Sequence, residues 1–129
     1  MFFESLLLII LIYLSYQDIC HHEFNSVWLS LPLFIGGIFY RTPIFTICAV
    51  YILCLIINTL TNEHYIGNGD LDILAILLFY VSFYEFWIIC ICACSVQLVC
   101  HIIITKDILP FVPAITFGYA VILCYYYLN

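Results

Sequence analysis

The apolar run that opens at Leu71 continues to Thr105, and beyond Asp72 it carries a single charge, Glu85. As one helix it would be about 50 Å long at 1.5 Å per residue, well beyond a hydrocarbon core of roughly 30 Å. The chain must therefore fold back, and the turn is expected near Ser82 to Glu85. A soluble domain is a poor host for such a run. Of the 129 residues, 67% are hydrophobic and 8% charged, with a mean hydropathy of +1.24, which leaves too little polar surface to cover a core. The composition implies an integral membrane protein.

Further apolar segments complete the pattern. Phe2 to Tyr16 has no basic residues before it and no small-residue cleavage site after it, so it reads as a first membrane helix rather than a removed signal peptide. It ends in the polar stretch Ser15 to Ser26. A second segment, Val27 to Tyr40, contains Pro32 and Gly36-Gly37, which membrane helices tolerate when neighbours satisfy the backbone. Arg41-Thr42-Pro43 marks a turn, and the third segment runs from Ile44 to Leu60. The polar loop Thr61 to Ile66 then delivers the chain to Gly67 and the long run already described. A sixth segment, Leu109 to Leu128, opens with Pro110 and Pro113, both acceptable where a helix starts. The expected fold class is all-α: a polytopic membrane protein of about six short transmembrane helices, with residues 1–129 as one domain.

Charge and cysteine usage narrow the partners. Arg41 and Lys106 stand against eight Asp and Glu, for a net charge of −6. That balance excludes nucleic acid and anionic lipid headgroups as electrostatic partners, leaving the bilayer interior. The eight cysteines fall mostly inside apolar runs, where a thiol packs as a small hydrophobe. Cys90-x-Cys92-x-Cys94 lacks zinc spacing, since only Cys90 and Cys94 share a helix face. His21, His22 and His64, with Cys20, can be drawn around a metal, but no pair has the spacing of a metal motif, and solvated loop histidines are the simpler reading. No metal and no cofactor is expected. Gln97 and His101 share a helix face as an interhelical hydrogen-bonding pair, and Tyr16 reads as an interface tyrosine.

The chemistry concentrates at Gly67-Asn68-Gly69-Asp70. Glycines permit a tight turn and the close approach of another backbone. Asp70 then falls in the first turn of the next helix, where free N–H groups and the helix dipole favour a carboxylate. A simple N-cap is one reading. The other involves Asp18, because counting through six spans puts the loops of Asp18 and Asp70 on one side, with Glu85 on the opposite side. Carboxylates at membrane depth are costly and usually functional. Two of them facing one another can share a proton, one activating water and the other protonating a carbonyl. Asp18 closes a helix and Asp70 opens one, so the helix dipoles alone would bias that proton toward Asp18.

Gly67-Asn68-Gly69-Asp70-Leu71-Asp72-Ile73-Leu74-Ala75 resembles the Gly-x-Gly-Asp-x-Lys-Leu motif of the bacterial type IV prepilin peptidases, membrane aspartic endopeptidases. Asp18-Ile19 with Phe24 resembles that family's first motif, and Leu109-Pro110-Phe111-Val112-Pro113 its terminal Ile-Pro-Phe-Gly-Pro signature. Two positions depart from it: Asn25-Ser26 stands where the family has Pro-Asn or Pro-Asp, and Asp72 where it has Lys. The resemblance implies Asp18 and Asp70 as the catalytic pair, with Gly67, Gly69, Pro110 and Pro113 as motif or substrate-binding positions. It implies cleavage of the basic leader of prepilins, pseudopilins or competence pilins at the cytoplasmic face of the bacterial plasma membrane. An acidic surface of Glu23, Glu63 and Asp72 would attract that leader. The chain is too short for the cysteine-bearing methyltransferase region of longer members. Two other functions fit the same residues: a small ion or proton transporter, against which stands the lack of an internal repeat, and a catalytically inactive pilus-assembly scaffold.

Overall fold

The computed structural model describes residues 2–21, 25–39, 44–60, 67–104 and 110–128, and every regular element among them is helical. Six α-helices follow in chain order: α1 (Phe2–His21), α2 (Ser30–Phe39, entered through a 3-10 turn at Ser26–Leu29), α3 (Ile44–Leu60), α4 (Asn68–Tyr80), α5 (Phe83–Ile104) and α6 (Val112–Leu128). The turn expected near Ser82 falls between α4 and α5. There Val81 leaves the helix in an extended conformation while its N–H still bonds to the Leu77 carbonyl at 3.1 Å. The turn at residues 41–43 and the loop 61–66 lie outside the described residues.

α1 is longer than the apolar pattern predicts, passing Tyr16 to reach His21. Its polar end remains helical because it has partners. Gln17 donates to the Tyr13 hydroxyl one turn back at 2.9 Å, and Asp18 is buried. α6 starts later than Leu109. Pro110 precedes it, and the Ala114 and Ile115 N–H groups bond to the Phe111 carbonyl at 3.1 and 3.2 Å, so Phe111 caps the helix and Pro113 sits in its first turn. A proline there removes only an N–H that has no intrahelical acceptor.

The residues cluster into two compact units, one formed by 1–25 with 83–129 and the other by 26–82. In the first, α6 packs on both α1 and α5. The α1 face of Leu7, Leu11 and Leu14 is completely or almost completely buried, as are Ile115 and Tyr119 of α6, following the spacing of one helical stripe. The Tyr119 hydroxyl donates to the Glu4 carbonyl at 3.3 Å and Ser5 pairs with Tyr127 at 2.8 Å, while at the other end Asp18 meets Val112, so α1 and α6 are antiparallel. On its other side α6 approaches α5 closely at Gly118, where a Cβ would lie 3.0 Å from the Ile89 carbonyl oxygen.

In the second unit α4 lies between α2 and α3. Gly36 of α2 meets α4 so closely that a Cβ would come within 2.9 Å of Phe79 Cβ. The Tyr80 hydroxyl donates to the Pro32 carbonyl at 2.6 Å. Asn58 donates to Asn68 at 2.9 Å where α3 ends and α4 begins.

By length and composition α1 and α5 are able to cross a membrane, and most of their residues are not buried. α3, α6 and residues 27–39 are shorter apolar helices. The outward side chains of α5 include Trp87, Ile91, Leu98, Ile102 and Ile103, all exposed. An apolar outward surface of this kind suits a helix able to cross a membrane.

Candidate functional site

Asp18 lies in the last turn of α1 and is only 8% exposed. Its Oδ2 accepts the backbone N–H of Val112 at 3.1 Å. Val112 is the first residue of α6, so this N–H is one of the orphan donors of a helix N-terminus, and the carboxylate of one helix end satisfies the other. One turn further back, Ser15 donates to the Leu11 carbonyl at 2.7 Å, and its Oγ lies 2.7 Å from Thr116 Oγ1. Thr116 also reaches the carbonyls of Val112 at 2.9 Å and Leu11 at 3.3 Å. Two arrangements satisfy these distances: Ser15 donates to Leu11 and Thr116 to Ser15, or Ser15 donates to Thr116 and Thr116 to the Val112 carbonyl. The α1–α6 interface beneath Asp18 is thus polar but satisfied, which fixes the height at which the two helices meet.

This contact changes the expectation about the shared proton. Helix ends were expected to disfavour an anion at Asp18 and favour one at Asp70. The negative end of α1 does face Asp18, yet the positive end of α6 faces it too, through the Val112 N–H. The helix dipoles therefore give no reason to place the proton on Asp18.

Asp70 is the third residue of α4 and half-buried. Gly67 is the N-cap; its carbonyl accepts the N–H groups of Asp70 at 3.1 Å and Leu71 at 3.3 Å. Asp70 itself is therefore not the N-cap. Its carboxyl folds back over Gly67, with Oδ2 3.4 Å from where a Cβ on that glycine would stand. Gly67 has φ −65° and ψ 144°, a conformation open to any residue, so the expected special backbone is not what requires glycine here. Gly69 is helical, in the first turn. Pro113 lies directly after the Val112 amide that holds Asp18, and Pro110 leads into the Phe111 cap.

Val112 is the residue that the sequence did not single out. A signal was present, because Pro113 marks a helix start and a helix start carries free N–H groups that seek an anion. What the sequence lacked was any sign that the anion stands 94 positions earlier. Asp72, the departure from the family motif, accepts a hydrogen bond from the Tyr51 hydroxyl of α3. His22, Glu23, Phe24, Glu63 and His64 lie outside the described residues. Among the described residues no cluster of three or more His, Cys, Asp or Glu has the arrangement of a metal site. No family model, curated protein or solved structure matches the chain.

Proposed function

We propose that this chain is a membrane aspartic endopeptidase that removes the basic leader of prepilin-like substrates, with its six helices in the bacterial plasma membrane and its site toward the cytoplasm. The observation that supports the reading best is the placement of the motif aspartates. Asp18 is a buried carboxylate held by a helix N-terminus, and Asp70 lies in the first turn of α4 behind Gly67. Each carboxylate is thus anchored at a helix end.

In this mechanism the pair carries one proton between them. The ionised carboxyl takes a proton from water as its oxygen attacks the scissile carbonyl carbon, and the protonated carboxyl gives its proton to the carbonyl oxygen. The tetrahedral intermediate then collapses: the C–N bond breaks as the amine nitrogen takes a proton from the pair, and a hydroxyl of the intermediate returns a proton to the pair. Either aspartate can begin as the acid, and titration belongs to the pair rather than to one residue. Gly69 keeps the first turn of α4 free of a side chain, where an extended substrate backbone would need room. The shorter helices, α2 and α4 above all, fall below the roughly 17 residues of an unaided crossing. They would span only with their flanking residues or in a locally thinned bilayer.

The test is direct: purified protein in detergent is mixed with a prepilin carrying its leader, and loss of the leader is followed by mass. Wild type should cleave, whereas Asp18→Asn and Asp70→Asn should remain folded and inactive. Cleavage by either variant near the wild-type rate would end the dyad and return the chain to the transporter or scaffold reading.

A further inference from the structure

We propose that the open cavity between α2, α3 and α4 binds an aliphatic primary ammonium group, with Asp72 as the counter-ion and the apolar wall as the seat for the carbon chain. The cavity has a volume of about 310 Å³, at the lower end of the roughly 300–1,000 Å³ of small-molecule sites. Its wall is made by Leu33 of α2, Ile47 of α3, and Ile76 and Phe79 of α4. Asp72 stands on the same face of α4 as Ile76 and Phe79, at i, i+4 and i+7, and is the one carboxylate among the described residues of the lining.

The polar partner that Asp72 has is the Tyr51 hydroxyl, which engages Oδ1. A carboxylate has about four acceptor positions, so Tyr51 leaves most of them available. No lysine or arginine occurs among the described residues, and a carboxylate in apolar surroundings gains most from a cation. The form of the cation follows from the geometry. A guanidinium wants both carboxylate oxygens at once, and Tyr51 already engages one of them. A quaternary ammonium wants an aromatic cage, and this wall is mainly aliphatic. An ammonium head on a flexible apolar stem needs a single free acceptor and an apolar sleeve. A free alkylamine and a lysine side chain share that chemistry. The site does not depend on whether the chain is a peptidase.

Cys48 also lines the cavity and can report on it. The full chain, with Cys48 as its only cysteine and carrying a trifluoroethyl tag, is titrated in detergent with hexylamine at neutral pH while the ¹⁹F shift is followed. Hexylammonium should shift the signal saturably, hexanol about tenfold more weakly or not at all, and Asp72→Asn should weaken the amine by about tenfold or more. Ala75→Phe, which keeps Asp72 but fills the space, should abolish the response in a protein whose tagged signal remains sharp. A leucine-rich peptide bearing one lysine is then added. If it displaces hexylammonium and its norleucine counterpart does not, the natural occupant is a lysine side chain; otherwise it is a free amine. Equal binding of hexanol and hexylammonium, or an unchanged response in Asp72→Asn, overturns the proposal and leaves Tyr51–Asp72 as a structural pair. Because the readout is binding, its failure would leave the leader-cleavage test untouched.

Discussion

Asp18 holds the start of α6, and in the proposed function it also takes part in the chemistry; substitution can separate the two. Asparagine keeps an oxygen for the Val112 N–H, whereas alanine leaves that donor and the end of α6 without a partner. Asp18→Ala should therefore lower the unfolding midpoint in detergent, at a cost of about 1–2 kcal/mol typical of a lost helix cap. Asp18→Asn should unfold close to wild type and still fail to cleave. Equal stability of the two variants would mean that the Val112 contact contributes little. The glycines also separate. Gly67→Ala should be tolerated, since the backbone there is extended and the added carbon meets Asp70 only at ordinary contact distance. Gly69→Ala should keep its folded yield while turnover falls, because the helix accepts alanine and the proposed substrate path does not. Measuring yield and turnover together decides whether Gly69 serves the chemistry or only the chain.

Between elements, close approaches and shared hydroxyls set the geometry. Gly118→Ala would push a methyl group to 3.0 Å from the Ile89 carbonyl oxygen, and should cost about 1–3 kcal/mol as an overpacked contact, read as a lowered unfolding midpoint. Ser15→Ala combined with Thr116→Val in a double-mutant cycle should give a coupling near 0.6 kcal/mol, the usual size for a hydrogen bond between membrane helices. The helices themselves were readable in the sequence. α3 matches its apolar run from Ile44 to Leu60, and the α4–α5 break falls where a single 50 Å helix was untenable. The end of α1 was not readable, because Gln17 and Asp18 look like loop residues until their partners are known. The same holds at the site. Asp70 in the first turn of α4 follows from its local motif, while Tyr51–Asp72 and Asp18–Val112 join separate helices and leave no local pattern.

For the molecule as a whole, topology carries the most weight. In a cysteine-free chain, Cys20 restored alone and a single cysteine replacing Gly67 should both react with a membrane-impermeant thiol reagent from the cytoplasmic side. Labelling from opposite sides would separate Asp18 from Asp70 and remove the dyad. The unit that contains Asp18 also has a consequence in time. It is assembled from residues 1–25 and 83–129, and Val112 is synthesised 94 positions after the aspartate that accepts its N–H. On a chain emerging N-terminus first, Asp18 is made early and waits, without its helix partner, until Val112 has left the ribosome. If the chain is the proposed peptidase, it is inert while nascent: a chain truncated before Val112 carries the first aspartate but not the amide that holds it, so early termination would leave no stray protease.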